Sequence, residues 1–182
     1  MENNERNNAM NSNKLKAAIR DIPDFPQKGV IFKDITPILS DPKLFKAAVN
    51  ILCKRHAKGS IAKVAAVDAR GFIFGAAVAL KLGAGFIPVR KKGKLPFQTI
   101  EQSYDLEYGS ATLSMHVDAI KPGETILIVD DLLATGGTAS ATVEMIEKLD
   151  GKIVEIAFLI ELAFLKGRTK LTKYPVFSAI VF

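Results

Sequence analysis

Ile126 to Ser140 reads ILIVDDLLATGGTAS, and the order of residue types in this stretch decides both the fold class and the place of the site. Four consecutive apolar residues suit a strand buried on both faces of a parallel sheet. They run into two carboxylates, Asp130 and Asp131, then into a short loop holding Thr135, Gly136, Gly137 and Thr138, after which a helical pattern begins. In open α/β sheets ligands sit beyond the carboxyl ends of the strands, where these acids are expected to emerge. The two glycines permit a tight turn in which backbone N–H groups converge. A helix N-terminus adds free amides and the positive end of the dipole, so the loop is a cradle for phosphate. Paired acids beside it suit sugar hydroxyls or a hydrated magnesium ion. Phosphate, diol and metal together describe a phosphorylated sugar.

Taken alone, a turn containing two aspartates is also satisfied by solvated acids at a strand end. Rival phosphate motifs do not fit, because there is no Gly-Lys-Ser/Thr ending and no GxGxxG after a strand. Over its whole length the segment resembles the signature by which type I phosphoribosyltransferases bind phosphoribosyl pyrophosphate. VDDLLATGGT is similar in particular to the adenine-specific members. The resemblance implies an α/β, type I phosphoribosyltransferase fold: a mostly parallel sheet flanked by helices on both faces, with a small N-terminal hood. It also implies that Asp130 and Asp131 hold the ribose hydroxyls and that Ala134, Thr135, Gly136, Gly137 and Thr138 hold the 5′-phosphate. Mg2+ then rides on the substrate, with Asp130 and Asp131 as its candidate protein ligands.

The whole chain bounds this reading. Its 182 residues suit one compact domain, or a domain with a small appendage, and 48% are apolar, enough for a sizeable core. No apolar run is long enough to span a membrane. The opening MENNERNNAMNSNK lacks the apolar segment of a secretory signal, and its asparagine-rich composition predicts a disordered tail over residues 1–13. A single cysteine, Cys53, excludes an intrachain disulfide, fits a reducing cytoplasm and sits in a helical pattern as a small hydrophobe. The net charge of +6 invites a nucleic-acid partner, but aromatics are sparse among the basic residues and no helix carries a basic face. The same charge attracts a polyanionic small substrate.

The remainder, 14–182, reads as one domain without repeats. Lys14 to Arg20 predicts a short helix. Asp24 to Thr36 is broken by Pro26 and Gly29 and has an extended piece at Val30–Lys33. Asp41-Pro42 is an N-cap followed by the residue favoured at the first helical position, and Gly59 is expected to stop that helix. Strands are expected at 63–68, 85–89, 126–130, 153–161 and 176–182, with helices at 71–82 and 139–149. Their alternation gives a parallel sheet with both faces covered. Lys91 to Gly109 is expected as a long polar connection.

Four further segments carry charge or apolar residues in suggestive places. Asp68-Ala69-Arg70-Gly71 closes a strand and opens an apolar helix, where an arginine is ordinarily a solvated charge. Arg90-Lys91-Lys92-Gly93-Lys94 sets four cations at a strand end, which serves equally to block edge pairing or to neutralise phosphate. A connection as long as that around SYDLEYG (Ser103–Gly109) inside a compact domain suggests a lid. Val30-Ile31-Phe32-Lys33-Asp34 suits a small packed hood. The two histidines, His56 and His116, have no partner at ligand spacing and are expected at the surface or at helix ends.

Each of the four segments is similar to one in the adenine-specific phosphoribosyltransferases, and the resemblance assigns roles. Asp68, Ala69, Arg70, Arg90, Lys91 and Lys94 lie at pyrophosphate, some reaching across a dimer interface. Residues of about 93–109 form a flexible catalytic loop in which Glu107 transfers the purine proton and Tyr108 covers the reacting centre. Arg70 joins Glu107 as a catalytic residue by stabilising the leaving group. A hood of about 21–37 carries the adenine pocket, with Phe32 on the ring, backbone at Ile31 reading the amine, and Lys33 where the family often has arginine. The implied reaction takes adenine and phosphoribosyl pyrophosphate, with magnesium, to AMP and pyrophosphate. A cytoplasmic homodimer without nucleic-acid or membrane partners is implied with it. The alternatives are a different purine as acceptor, or a non-catalytic regulator that senses phosphoribosyl pyrophosphate. Against the regulator, the chain has no separate DNA-binding domain and a lid acid is superfluous to it.

Overall fold

The structure is a computed structural model that describes residues 11–105 and 110–182. They fall into two compact units, Met1–Ile51 and Leu52–Phe182. In the first, helix α1 covers residues 11–18, so it is already formed in the last residues expected as tail and stops short of Arg20. Arg20 instead opens β1 (Arg20–Pro23), which pairs antiparallel with β2 (Ile31–Asp34). Charge complementarity across the two strands explains the difference. Arg20 Nε donates to Asp34 Oδ2 at 3.0 Å and Lys33 Nζ to Asp21 Oδ1 at 2.7 Å, cross-strand pairs invisible to a helical periodicity. The link between the strands includes a cis Phe25–Pro26 bond. Helices α2 (Thr36–Ser40) and α3 (Pro42–Cys53) follow.

The cap expected for α3 is present, with Asp41 Oδ1 accepting the N–H groups of Lys43 (2.7 Å) and Leu44 (3.0 Å). Its end is not at Gly59 but at Cys53. The adjacent side chains of Arg55 and His56 both reach Glu155, at 2.5 Å and 2.7 Å, and neighbours in a helix cannot face one partner together. The His56 side chain is thus covered and paired with an acid, in the turn just past the helix end, one of the two places expected for it, and not at the open surface. Cys53 is buried, as expected, and its thiol is pushed up by that burial.

The second unit is built on seven strands in the order β5-β6-β4-β3-β7-β8-β9. Strands β3 (Lys63–Val67), β4 (Gly85–Lys91), β7 (Thr125–Leu133), β8 (Lys152–Glu161) and β9 (Val176–Val181) run parallel. Helix α4 (Arg70–Leu82) links β3 to β4, and α5 (Gly137–Lys148) links β7 to β8. The two helices cover opposite faces, as the alternation along the strands requires. Ala65, Val67, Ile126, Ile128 and Phe158 pack with Met145 and Ile146 of α5. On the other side Ala66 lies under Gly75 of α4, where a Cβ would stand 2.5 Å from the alanine methyl.

The expected loop at 91–109 is in large part a sheet edge. Here β5 (Thr99–Asp105) pairs antiparallel with β6 (Ser110–His116), and β6 with β4. Only Ile100 and Tyr104 give β5 an apolar signal, because its other face (Glu101, Ser103, Asp105) is exposed. Lys92 pairs with Glu101 at 2.7 Å along this edge.

Candidate active site

Strand β7 does not end at its acids. It stays paired with β8 as far as Leu133 opposite Glu161, but with β3 only as far as Val129 opposite Ala66. Beyond that point β3 has turned away through a cis Asp68–Ala69 peptide into α4. The chain leaves β3 towards β4 and leaves β7 towards β8, so the gap between β3 and β7 is the topological switch point where α/β sheets bind ligands. Asp130 and Asp131 stand in that gap.

Their surroundings are specific. Asp130 Oδ1 accepts the Asp131 N–H at 2.9 Å. Gly71, buried at the start of α4, leaves room for that carboxylate, since a Cβ there would lie 2.5 Å from Asp130 Oδ1. Arg70 Nη2 lies 2.7 Å from Asp131 Oδ2. The pair is close without hydrogen-bond alignment, and this buried oxygen has no hydrogen-bond donor among the described residues. Burial pushes the Asp130 carboxyl well above the usual carboxylate range, and the charge of Asp131 adds to it. Burial also raises Asp131, with Arg70 pulling it back. A carboxylate pair held above its ordinary range is stabilised by whatever brings it hydroxyl donors or positive charge.

The cradle follows directly. Gly136 is left-handed at φ 79° and caps α5, which begins at Gly137. Asp130, the loop from Ala134 to Thr138 and Phe158 line one open pocket. The loop therefore presents the free amides of a helix start beside an acid suited to a diol. Tyr104 of β5 crowds the same helix start. Its ring would be 2.8 Å from a Cβ on Gly137, and its hydroxyl accepts from Thr138 Oγ1 at 3.2 Å.

The basic residues take varied positions. Arg90 Nε meets Asp68 Oδ2 at 3.1 Å and its Nη1 donates to the Lys94 carbonyl at 3.0 Å. Arg90 thus ties the β3 turn to the basic run, while Lys91 and Lys94 are exposed. Ile31, Phe32 and Lys33 lie on β2 in the first unit. There Ile31 is exposed, Phe32 meets Phe25 edge to face at 5.1 Å, and Lys33 bonds Asp21. Glu107 and Tyr108 lie outside the described residues. Two residues at the cradle escaped the sequence reading. Tyr104 sits in a polar edge strand, where alternation was its only signal. Gly167 packs on Gly136 and Ala134 through backbone, and a single glycine in LKGR carries no such message.

Residues 34–180 match the phosphoribosyl transferase domain family. The chain is 58% identical over 168 residues to an adenine phosphoribosyltransferase of Geotalea daltonii, covering 92% of this chain and 98% of that protein. Among solved structures, the adenine phosphoribosyltransferase of Rhodothermus marinus superposes with a TM-score of 0.91 at 50% identity, over 96% of this chain and 99% of that one. The Saccharomyces cerevisiae enzyme, crystallised with an imino-altritol bisphosphate and adenine, does so with a TM-score of 0.89 at 40% identity, over 94% and 99%. With a switch-point acid pair and an adjoining amide cradle, and with relatives matching over nearly its full length, the chain belongs to the phosphoribosyltransferase family, among the adenine phosphoribosyltransferases.

Proposed function

We propose that the protein transfers the 5-phosphoribosyl group of phosphoribosyl pyrophosphate to adenine, giving AMP and pyrophosphate in purine salvage. The observation that carries the reading is Asp130 on the wall of the pocket that also holds the Ala134–Thr138 cradle. One ligand with a diol and a phosphate satisfies both. Loop amides and the Thr138 hydroxyl take the 5′-phosphate, and Asp130 with Asp131 takes the ribose hydroxyls. Displacement at the anomeric carbon then moves negative charge onto pyrophosphate, towards Ala69, Arg70, Arg90, Lys91 and Lys94, of which the two arginines are oriented in advance. Arg70 and Arg90 are themselves held by Asp131 and Asp68, so they keep their orientation while the leaving group gains charge. Phe32 and the Ile31 backbone take adenine in this reading, and Glu107 takes its proton under cover of Tyr108.

Magnesium fits this site as a substrate-borne ion. Among the described residues no three acids, histidines or cysteines cluster to hold a metal alone, while the Asp130–Asp131 pair has carboxylate charge to offer. When bound, Mg2+ supplies charge neutralisation on the pyrophosphate and diol. The protein is proposed to act as a cytoplasmic homodimer. Among the described residues no helix is long and apolar enough to cross a membrane.

A pyrophosphate-release assay with each purine base in turn tests the proposal. Turnover with adenine and little with hypoxanthine, guanine or xanthine is expected. Turnover with another base but none with adenine overturns the specificity. No turnover with any base, together with salt-sensitive binding of duplex DNA, would favour a regulator that senses phosphoribosyl pyrophosphate.

A further inference from the structure

The phosphate loop has an outer wall as well as an inner one. After β8 the chain turns through two 3-10 segments, Ala163–Leu165 and Gly167–Lys170, before entering β9. The Leu162 N–H donates to the Leu133 carbonyl at 2.9 Å, which seats this turn on the carboxyl end of β7. At its apex Lys166 is left-handed at φ 54°, and the buried Gly167 lies against the cradle. A Cβ on Gly167 would collide with the Ala134 carbonyl and stand 2.9 Å from the Gly136 nitrogen. A Cβ on Gly136 would collide in turn with the Gly167 carbonyl. Backbone meets backbone here, and neither side has room for a side chain.

The next residue fixes that contact. Arg168 Nε and Nη2 donate to the two oxygens of Glu161 at 3.1 and 2.5 Å. Its Nη1 donates to the Val176 carbonyl at 2.7 Å, and Nη2 also reaches the Ser178 hydroxyl at 3.3 Å. Ser178 in turn donates to Glu161 at 2.6 Å. Glu161 is buried and is the β8 partner of Leu133, the residue just before the cradle. A rigid guanidinium fork is therefore tied to the last residue of β8 and to the start of β9, one residue away from Gly167.

We propose that Arg168, clamped to Glu161, is a positioning residue for the 5′-phosphate: it seats Gly167 on the outer face of the cradle and so holds the left-handed turn at Gly136 that aims the loop amides inward. The inference rests on the assignment of that cradle to the 5′-phosphate. Amide donors are effective only within a narrow range of position, so slack behind the loop weakens phosphate binding without removing any group that touches it.

Arg168→Lys keeps the charge and loses the fork. Steady-state kinetics, calorimetric titration with ribose 5-phosphate and a thermal melt test it together. The KM for phosphoribosyl pyrophosphate and the Kd for ribose 5-phosphate should both rise about tenfold. The KM for adenine and kcat should stay near wild type in a variant still folded at the assay temperature. Gly167→Ala should show the same pattern more severely, and where it fails to fold, Arg168→Lys decides. An unchanged ribose 5-phosphate Kd in folded Arg168→Lys overturns the inference, as does a parallel loss of kcat, both KM values and thermal midpoint. If the wild-type protein itself does not bind ribose 5-phosphate in competition with phosphoribosyl pyrophosphate, the cradle assignment has failed and the inference falls with it.

Discussion

Asp130→Asn separates what this carboxyl does for the substrate from what it costs the fold. The change is isosteric. The amide oxygen still accepts the Asp131 N–H now held at 2.9 Å, and the space beside Gly71 is unaltered. What disappears is a charge disfavoured first by burial and then by Asp131, with Arg70 giving partial relief. A carboxyl whose folded pKa is raised binds its proton more tightly folded than unfolded. Its cost to stability is therefore absent below the unfolded value, grows as pH rises through the window between the two values, and is constant above the folded one. Removing an unfavourable charge from a functional site typically gains on the order of 1 kcal/mol, about 2–4 °C in Tm for a chain of this size. That gain should be present at about pH 7–8, shrink as pH falls towards the ordinary aspartate value of about 3.9, and vanish only below about pH 3, where the wild-type carboxyl is protonated in both states. The sugar loses a charge-assisted hydrogen bond worth about 1.5–3 kcal/mol, so the KM for phosphoribosyl pyrophosphate should rise about 10–100-fold. Thermal melts across this pH range and steady-state kinetics measure the two effects independently. A Tm gain that persists unchanged at low pH, or a loss at neutral pH, refutes the electrostatic reasoning. An unchanged KM removes Asp130 from the sugar site.

Gly71→Ala tests the same carboxylate from the helix side. Its Cβ would stand 2.5 Å from Asp130 Oδ1, so overpacking should cost about 1–3 kcal/mol and raise the KM for the sugar substrate, and wild-type Tm and KM together would contradict the geometry. Glu107→Gln should lower turnover by roughly 10²–10⁴-fold while leaving substrate binding little changed; a change confined to adenine affinity would exclude proton transfer. Glu155→Gln, at the opposite end of β8 from the cradle, deprives Arg55 and His56 of their shared carboxylate. It should cost about 1–3 kcal/mol in chemical denaturation without altering kinetics below the melting range, and a fall in kcat at wild-type stability would place the cluster in the site instead.

Legibility in the sequence tracks how locally each feature is stabilised. Strands β3, β7 and β8 were readable because a strand covered on both faces must be apolar nearly throughout, whichever neighbours it has, and the partly exposed β4 and β9 because each still keeps a short apolar run. Strands β1, β5 and β6 were not, since they are specified by partners: Arg20 by Asp34, and β5 by the face of α5 that packs on Ile100 and Tyr104. The extension of β7 past its acids was hidden for the same reason, because β8 alone continues beside Asp130 and Leu133. The site divides along this line as well. The inner face of the cradle is formed by consecutive amides from Ala134 to Thr138, so one segment contains it whole. Its flank and outer wall come from Tyr104 and Gly167, each about thirty residues away along the chain, and Gly167 acts through backbone alone. Contacts of that kind leave the motif untouched while setting the geometry on which its donors depend. Changes in sugar affinity among chains with an identical VDDLLATGGT should therefore trace to the residues behind the loop, with Tyr104, Gly167 and the Arg168–Glu161 clamp as the first places to measure.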